Sequence, residues 1–151
     1  MILSPYIHFK TDRLRDEWIS GPFQPMLYVV VNTAAWWHYT EFGIAAVITS
    51  LYRPDGIHKT YRAADLRTTH ISEFAHKWEF WLNSIFPYKG KAGCNTALVH
   101  EVKKCQKCGK HFQVELVTCP DCGGKGKRLG SHLHLQIGPL EPWPDEIKPA
   151  A

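Results

Sequence analysis

Apolar positions recur along the chain with two different periods, and the helical period predicts two long helices. From Pro25 to about Phe42, apolar residues fall on one broad face, with proline suited to the first helical turn and Gly43 suited to the stop. A second helix is expected to run to about Phe86, capped by Thr69 or Ser72, because its large apolar residues repeat at helical spacing. The polar stretch 11–18 reads as either a short helix or an arm.

Shorter segments with β-branched residues or strict alternation predict strands. These segments lie at 45–52, 61–66, 96–102 and 131–137, and a turn signal at 53–56 ends the first of them. A chain of 151 residues fits one domain with a core of its own. The pattern therefore predicts a single α+β domain over residues 1–151, in which an antiparallel sheet is covered by two helices.

Four of the five cysteines form the most specific motif in the sequence. Cys105 and Cys108 make one C-x-x-C-G pair, and Cys119 and Cys122 make another ten residues later. Thiolates at this spacing wrap one tetrahedral zinc ion and leave no open position, so this zinc should be structural. We expect a small zinc ribbon at residues 103–128, inserted between the last two strands, with a hairpin at 112–117. A piece this small needs its metal to fold.

Composition and charge narrow the class of protein only a little. Hydrophobic residues make up 44% and charged residues 21%, and the formal charge is +4, too mild to indicate nucleic acid by itself. No apolar run is long enough to span a bilayer, so membrane insertion is not expected. The N-terminus lacks the pattern of a signal peptide, which predicts a cytoplasmic protein as synthesised, with any action on a cell wall following release.

Basic residues crowd the predicted ribbon, and two interpretations stay open. The cluster could form a patch for an anionic partner such as a cell-wall polymer or nucleic acid. It could also be a solvated surface around the thiolate site, and this second interpretation is favoured. The residues concerned are Lys103, Lys104, Lys107, Lys110, Lys125, Lys127 and Arg128.

A second candidate metal set combines two distant segments. His58 and Asp65 stand seven residues apart, and a His-x-His at His132 and His134 lies near the other end of the chain. Two imidazoles and one carboxylate suit a catalytic zinc, which typically keeps three protein ligands and one open position. If 131–137 is a strand, His132 and His134 share a face, so one could bind metal while the other sits beside the substrate. For Asp65 the competing interpretation is a salt bridge with Arg53, Arg62 or Arg67.

These residues resemble a family of zinc peptidases. His58, Arg62, Ala63 and Asp65 match the motif H-x-x-G-R-A-x-D of the D-Ala-D-Ala carboxypeptidases, lysostaphin-type and murein endopeptidases, and the hedgehog signalling domain. The segment 49–53 resembles the strand and arginine that precede this motif, and 131–136 resembles the closing H-x-H strand. The resemblance covers roughly residues 25 to 137, interrupted by the ribbon.

Two positions depart from the family pattern. Tyr61 stands where the family usually has glycine, which concerns the local turn more than the metal. Ser131 stands where the dipeptidase branch has a glutamate, three residues before the last histidine. The chain is therefore closer to the branch in which the first histidine of H-x-H assists catalysis.

The resemblance implies a hedgehog- or carboxypeptidase-like fold and a zinc mechanism. His58, Asp65 and His134 would hold the catalytic zinc, which lowers the pKa of water from 15.7 to about 7 and polarises the scissile carbonyl. His132 would help to deprotonate the water or stabilise the tetrahedral intermediate, and Arg53 could hold a substrate carboxylate or the developing oxyanion. The implied substrate is a peptidoglycan peptide, cut by carboxypeptidase or endopeptidase action, as in a phage lysin.

Glu101 is a further candidate, at the end of the strand 96–102. It could orient a zinc-bound histidine or act as the base in place of His132, and a surface glutamate is the equally weighted alternative.

Two other hypotheses stand beside the peptidase. In one, the peptidase fold is catalytically silent and the basic ribbon binds a partner or nucleic acid. In the other, only the ribbon holds zinc, and His58 and His134 are ordinary polar residues. The pattern of residues leaves the oligomeric state open.

Overall fold

The computed structural model describes residues 3–54, 56–68, 71 and 74–139, and it has a mixed α+β fold with two sheets rich in antiparallel pairs. The helices are α1 (Asp12–Ser20), α2 (Pro25–Phe42) and α3 (Ala75–Ile85), and a 3₁₀ turn covers Gly56–Thr60. The strands are β1 (Ile7–Phe9), β2 (Ala46–Ser50), β3 (Ala63–Arg67), β4 (Ala97–His100), β5 (Val102–Cys105), β6 (His111–Gln113), β7 (Gly126–Arg128) and β8 (His132–Gln136).

The larger sheet has the strand order β1-β2-β3-β8-β4, which puts β8 between β3 and β4. Asp65 of β3 faces His134 of β8, and His100 of β4 faces His132. Because residues two apart on a strand share a face, these four polar residues lie on one side of the sheet. The other side is wholly apolar and fully buried against the helices: Ala64, Leu66, Leu133, Leu135 and Ala97.

The predicted helices form, and their ends follow the expected chemistry in part. Pro25 opens α2, and Gly43 closes it in the left-handed conformation with φ 69°. Its buried face of aliphatic residues packs on the sheet. α3 begins at Ala75, preceded by Phe74 without a side-chain cap. The predicted caps Thr69 and Ser72 lie outside the described residues.

The stretch predicted as a short helix or an arm forms the helix α1, which is capped by the Thr11 side chain, so the described residues contain three helices instead of the two expected. Two other expectations about the architecture are wrong. The strand β1 was not predicted, and it pairs with β2 in parallel, so the sheet is not purely antiparallel. The hairpin expected at 112–117 does not form, because β6 ends at Gln113 and pairs with β5 instead of folding back on itself.

The three ribbon strands form a separate small sheet, with β5 between β6 and β7. Its β5–β7 ladder runs almost directly into the β4–β8 ladder. Lys103 faces Arg128 and His100 faces His132, so the pairing shifts by one residue between the two ladders. Glu101 therefore stands opposite two residues, which is a β-bulge beside the polar face of the main sheet.

In the part of the chain that the structure describes, no helix combines the length and the apolar character needed to cross a bilayer.

Candidate metal centres

The polar face of the main sheet gathers its side chains around one carboxylate. Asp65 Oδ1 lies 2.8 Å from His134 Nδ1, 3.4 Å from His58 Nε2 and 3.9 Å from His132 Nε2. The other oxygen, Oδ2, lies 3.7 Å from an Arg53 guanidinium nitrogen. Burial alone would raise the pKa of Asp65, but the histidines, led by His134 and His58, hold it well below its usual range. Asp65 is therefore an anion at the centre of three imidazoles.

His58 reaches this carboxylate from the 3₁₀ turn that precedes β3. The turn ends at Tyr61, whose φ of 55° is the only left-handed angle among the described non-glycine residues. A side chain in this conformation costs roughly 1–2 kcal/mol, which a glycine would avoid. The Tyr61 ring stacks on Tyr52 at 4.7 Å and meets Phe23 edge-on at 5.3 Å. Aromatic packing offsets the strain and keeps the turn that carries His58.

The ring of His134 has a polar partner at each of its two nitrogens. The Gln136 amide nitrogen donates to the Asn95 carbonyl at 2.8 Å, so the Gln136 carbonyl oxygen points the other way. That oxygen lies 3.3 Å from His134 Nε2 and is an acceptor for a hydrogen bond from it. In the neutral tautomer that makes this bond, the lone pair is on Nδ1, which faces Asp65 Oδ1 at 2.8 Å; in the other tautomer, Nδ1 donates to Asp65. Only a proton on Nδ1 or a cation shared by the two atoms makes that contact favourable.

His58 repeats this arrangement with its nitrogens exchanged. Its Nδ1 donates to the Leu51 carbonyl, which leaves the lone pair on Nε2, pointing at Asp65. Within the described residues, His58 Nε2 is a buried nitrogen without a hydrogen-bond partner, although the ring is only 2% exposed. A buried nitrogen of this kind is costly unless it binds something. His58 thus presents a lone pair to the same carboxylate oxygen that His134 Nδ1 contacts.

The donor atoms of His58, Asp65 and His134 all lie within 4.8 Å of one another and could hold a metal ion. Ligands at about 2.0–2.1 Å from a tetrahedral ion are about 3.3 Å apart. The 3.4 Å between His58 Nε2 and Asp65 Oδ1 fits that spacing. The 2.8 Å between His134 Nδ1 and Asp65 Oδ1 is shorter and is the distance of a direct hydrogen bond, so these two atoms would have to move apart to bind an ion.

His100 belongs to the site, and the sequence analysis missed it. Its ring is stacked on His132, with centroids 5.1 Å apart and planes inclined by 2°, and it meets His134 edge-on at 5.5 Å. Burial lowers the pKa of both His100 and His132. Only the pairing of β4 with β8 brings it into the site, since cross-strand partners share a face, and local spacing carries no signal of that pairing.

Glu101 lies away from this cluster. Its carboxylate is 3.8 Å from His76 Nε2 on α3, and His76 also lies 3.9 Å from Glu79. Because His100 faces the polar side, the next residue turns toward the helices. Arg53, by contrast, stands at the rim, where its half-exposed guanidinium contacts Asp65.

The four ribbon cysteines form a second group that could hold a metal ion. Cys105 and Cys122 have their sulfurs 3.4 Å apart, and Cys108 and Cys119 have theirs 3.7 Å apart, too far for disulfides. Four thiolates at about 2.3 Å from one ion would be about 3.8 Å apart. The distances therefore fit a closed tetrahedral site, in which all positions are taken by sulfur.

Backbone geometry prepares this thiolate site. The N–H of Cys108 donates to the Cys105 sulfur and lowers the pKa of that thiol to about 6. Gly109 and Gly123, with φ of 75° and 69°, make the tight turns after the two pairs. The N–H of each glycine donates to the carbonyl of the first cysteine of its pair. The two C-x-x-C-G segments adopt the same backbone turn, as their repeated sequence predicts.

Comparison of the chain with protein-family models, with curated proteins and with solved structures finds no match.

Proposed function

We propose that this protein is a zinc-dependent peptidase that cleaves peptidoglycan peptides, with zinc on His58, Asp65 and His134. The observation that carries the proposal is the convergence of two imidazole nitrogens on the buried Asp65 carboxylate; one of them, His58 Nε2, is buried without a hydrogen-bond partner among the described residues. A zinc ion on three protein ligands supplies a Lewis acid and an acidic water. The peptidoglycan substrate and the hedgehog- or carboxypeptidase-like fold rest on the resemblance of the His58–Asp65 and His-x-His motifs alone.

Two residues at the open side of the site would serve the reaction. His132 keeps about a third of its side chain exposed and aims Nε2 toward Asp65, so it can take a proton from water and return it to the leaving amine. Arg53 has 46% of its side chain exposed at the rim and can hold a substrate carboxylate or the developing oxyanion. His100 packs flat on His132 and orients it.

Ser131 explains why His132 has to carry the proton transfer. Its hydroxyl is hydrogen-bonded to Thr68 Oγ1 at 2.8 Å, and it offers no carboxylate at the position where the dipeptidase branch has one. Glu101, the other candidate base, is directed at His76.

The decisive experiment measures zinc per chain and hydrolysis together. We expect two zinc ions in the wild type and one in His58→Ala/His134→Ala, with two retained in the matched control His8→Ala/His111→Ala, which removes two exposed histidines. Purified peptidoglycan fragments should be cleaved by the wild type and left intact by His132→Ala, which keeps both zinc ions. One zinc ion in every variant would limit metal to the ribbon and contradict the proposal.

The basic ribbon supports a second candidate, a catalytically silent fold that binds a partner. Two zinc ions in the wild type together with no cleavage of any peptidoglycan fragment would favour that function.

A further inference from the structure

The ribbon carries more positive charge than the whole chain, because the rest of the protein is slightly negative. Residues 102–129 contain seven of the 18 lysines and arginines and two of the 14 acidic residues, a formal charge of +5 that leaves −1 for the rest of the chain. A metal ion of charge +2 on four thiolates reduces the ribbon to +3. A mild whole-chain charge of +4 therefore hides a strongly asymmetric distribution.

The register of the ribbon sheet collects part of this charge on one face. Lys104 of the central strand faces His111 on one side and Lys127 on the other, and all three are exposed. The ladder continues through a hydrogen bond from Gln106 to Lys125, which puts Lys125 two residues before Lys127 and on the same face. We call Lys104, His111, Lys125 and Lys127 the cationic face.

The opposite face of the sheet is occupied by the thiolate site. Phe112 and Cys105 are buried there, and Gly126 leaves room for the Phe112 ring. The cationic face is therefore a free outer surface and has no part in holding the metal.

Like charges opposite one another across strands destabilise a sheet, unless something compensates them. Lys110 forms an ion pair with Asp121 in the ribbon. By contrast, Lys104, Lys125 and Lys127 have no carboxylate within 4.0 Å among the described residues. Three uncompensated lysines and a histidine in one cross-strand group indicate a surface that meets an anion.

The chemistry of this face distinguishes between two kinds of polyanion. Proteins that bind single-stranded nucleic acid stack its bases on aromatic side chains, in addition to neutralising phosphates. Phe112 is the single Phe, Tyr or Trp of the ribbon, and it is buried on the other face. Lysines without a stacking partner suit a phosphate-bearing polymer that has no bases.

We propose that the cationic face anchors the protein to a flexible phosphodiester polymer without bases, of the polyol-phosphate type attached to cell walls. The identity of the polymer rests on the proposed function, because a peptidoglycan peptidase meets such chains next to its substrate. The ribbon joins β4 and β8 directly beside His100 and His132, so a polymer held there keeps the reactive face close to the wall.

The test is binding of purified poly(glycerol phosphate) to the full zinc-loaded chain at several salt concentrations. We expect Lys104→Gln/Lys125→Gln/Lys127→Gln to bind at least tenfold more weakly. The slope of log affinity against log salt should also fall by about 2, since each phosphate contact contributes roughly 0.7. The matched control Lys10→Gln/Lys77→Gln/Lys91→Gln removes the same charge from exposed lysines outside the ribbon and should bind like the wild type.

Three outcomes would overturn the inference: no binding by the wild type, equal loss in both triple variants, or tighter binding of an oligo-dT with the same number of phosphates. The triple ribbon variant should keep its zinc and its cleavage of short soluble peptides, and lose activity only on polymer-bearing walls. His58→Ala/His134→Ala should still bind the polymer. Failure of the peptidase proposal is thus distinguishable from failure of the anchor.

Discussion

At the scale of single residues, the candidate site is defined by where lone pairs point. His58 and His134 use opposite nitrogens toward Asp65, and in each case a backbone or amide carbonyl oxygen is the hydrogen-bond acceptor for the other nitrogen. Partners of this kind fix the tautomer of metal-binding histidines and raise their basicity. Leu51 and Gln136 are therefore as much a part of the site as the ligands they orient.

Replacing Gln136 tests this orientation directly. Gln136→Leu removes the acceptor for His134 Nε2, so the ring can present the wrong tautomer to Asp65. We expect zinc affinity at His58, Asp65 and His134 to fall about 10- to 100-fold, the usual effect of losing such a partner. Titration against a competing chelator measures it, and Gln113→Leu in the ribbon is the control. An unchanged affinity would show that the tautomer is set by other contacts.

Two substitutions distinguish a packing role of His100 from a role in proton transfer. A stacked aromatic pair contributes about 0.5–1.5 kcal/mol, so His100→Ala should lower kcat for peptide cleavage by up to about tenfold. His100→Phe keeps a flat ring against His132 and should retain most of the activity, with the zinc content of both variants unchanged. A Phe variant as inactive as the Ala variant would mean that a nitrogen of His100 takes part in the chemistry.

At the scale of elements, the ribbon strands β5 and β7 continue directly into β4 and β8, the strands that carry His100 and His132. β5 and β7 run into β4 and β8 through the bulge opposite Glu101, and Ser131 of that bulge is tied to Thr68 beyond the end of β3. Bulges commonly re-aim side chains beside active sites. Here the bulge lets the ribbon sheet, which has a register of its own, join the pair of strands that carries His100 and His132.

Gly124 tests how tightly the ribbon is built. A Cβ at this position would lie 2.7 Å from the Cys105 sulfur and 2.8 Å from Lys107 Cβ, so Gly124→Ala should displace a ligand and lower zinc by about one ion per chain. Gly93→Ala is the control, because its left-handed φ of 81° brings strain but nothing lies within 4 Å of the new Cβ. Elemental analysis measures the zinc content of both variants. Full zinc in Gly124→Ala would mean that the two C-x-x-C-G turns shift without releasing the metal.

At the scale of the whole molecule, one face of the five-stranded sheet belongs to the apolar core and the other carries the candidate site. The apolar face lies under the helices, while the polar face carries Asp65 and the histidines. Changes on the two faces should therefore affect different measurements.

Substitutions at Leu133 and Leu98, one on each face of the sheet, test this difference between the faces. Leu133 is fully buried between His132 and His134, whereas Leu98 is 42% exposed on the polar face opposite His134. Leu133→Ala should lower the free energy of unfolding by about 2–5 kcal/mol, and Leu98→Ala by less than about 0.5 kcal/mol. Denaturant unfolding of the zinc-loaded protein measures both. Equal losses would contradict the assignment of the faces.

Local patterns in the sequence predicted most elements, because their causes are local. The 3.6-residue period with Pro25 and Gly43 at its ends predicted α2, and alternation predicted the strands of the site. The strand β1 and its parallel pairing with the predicted strand β2 escaped prediction, since three residues carry too weak a period. The predicted hairpin at 112–117 was wrong because β6 pairs with β5, which lies earlier in the chain. Local periodicity does not indicate which strands pair.

The sequence by itself pointed to the two donor sets: the spacing of the cysteines predicted the thiolate set, and the resemblance of the motifs around His58, Asp65 and His134 implied the other. Only the tertiary structure decided which other side chains join them. The pairing of β4 with β8 brought in His100, turned Glu101 toward His76, and gathered the ribbon lysines on one face. Hydrogen bonds to the Leu51 carbonyl and the Gln136 side-chain oxygen then orient the two rings, so that His58 Nε2 and His134 Nδ1 face Asp65. The physical reason is that strand register and hydrogen-bond direction link residues far apart in the chain, whereas spacing links only near neighbours.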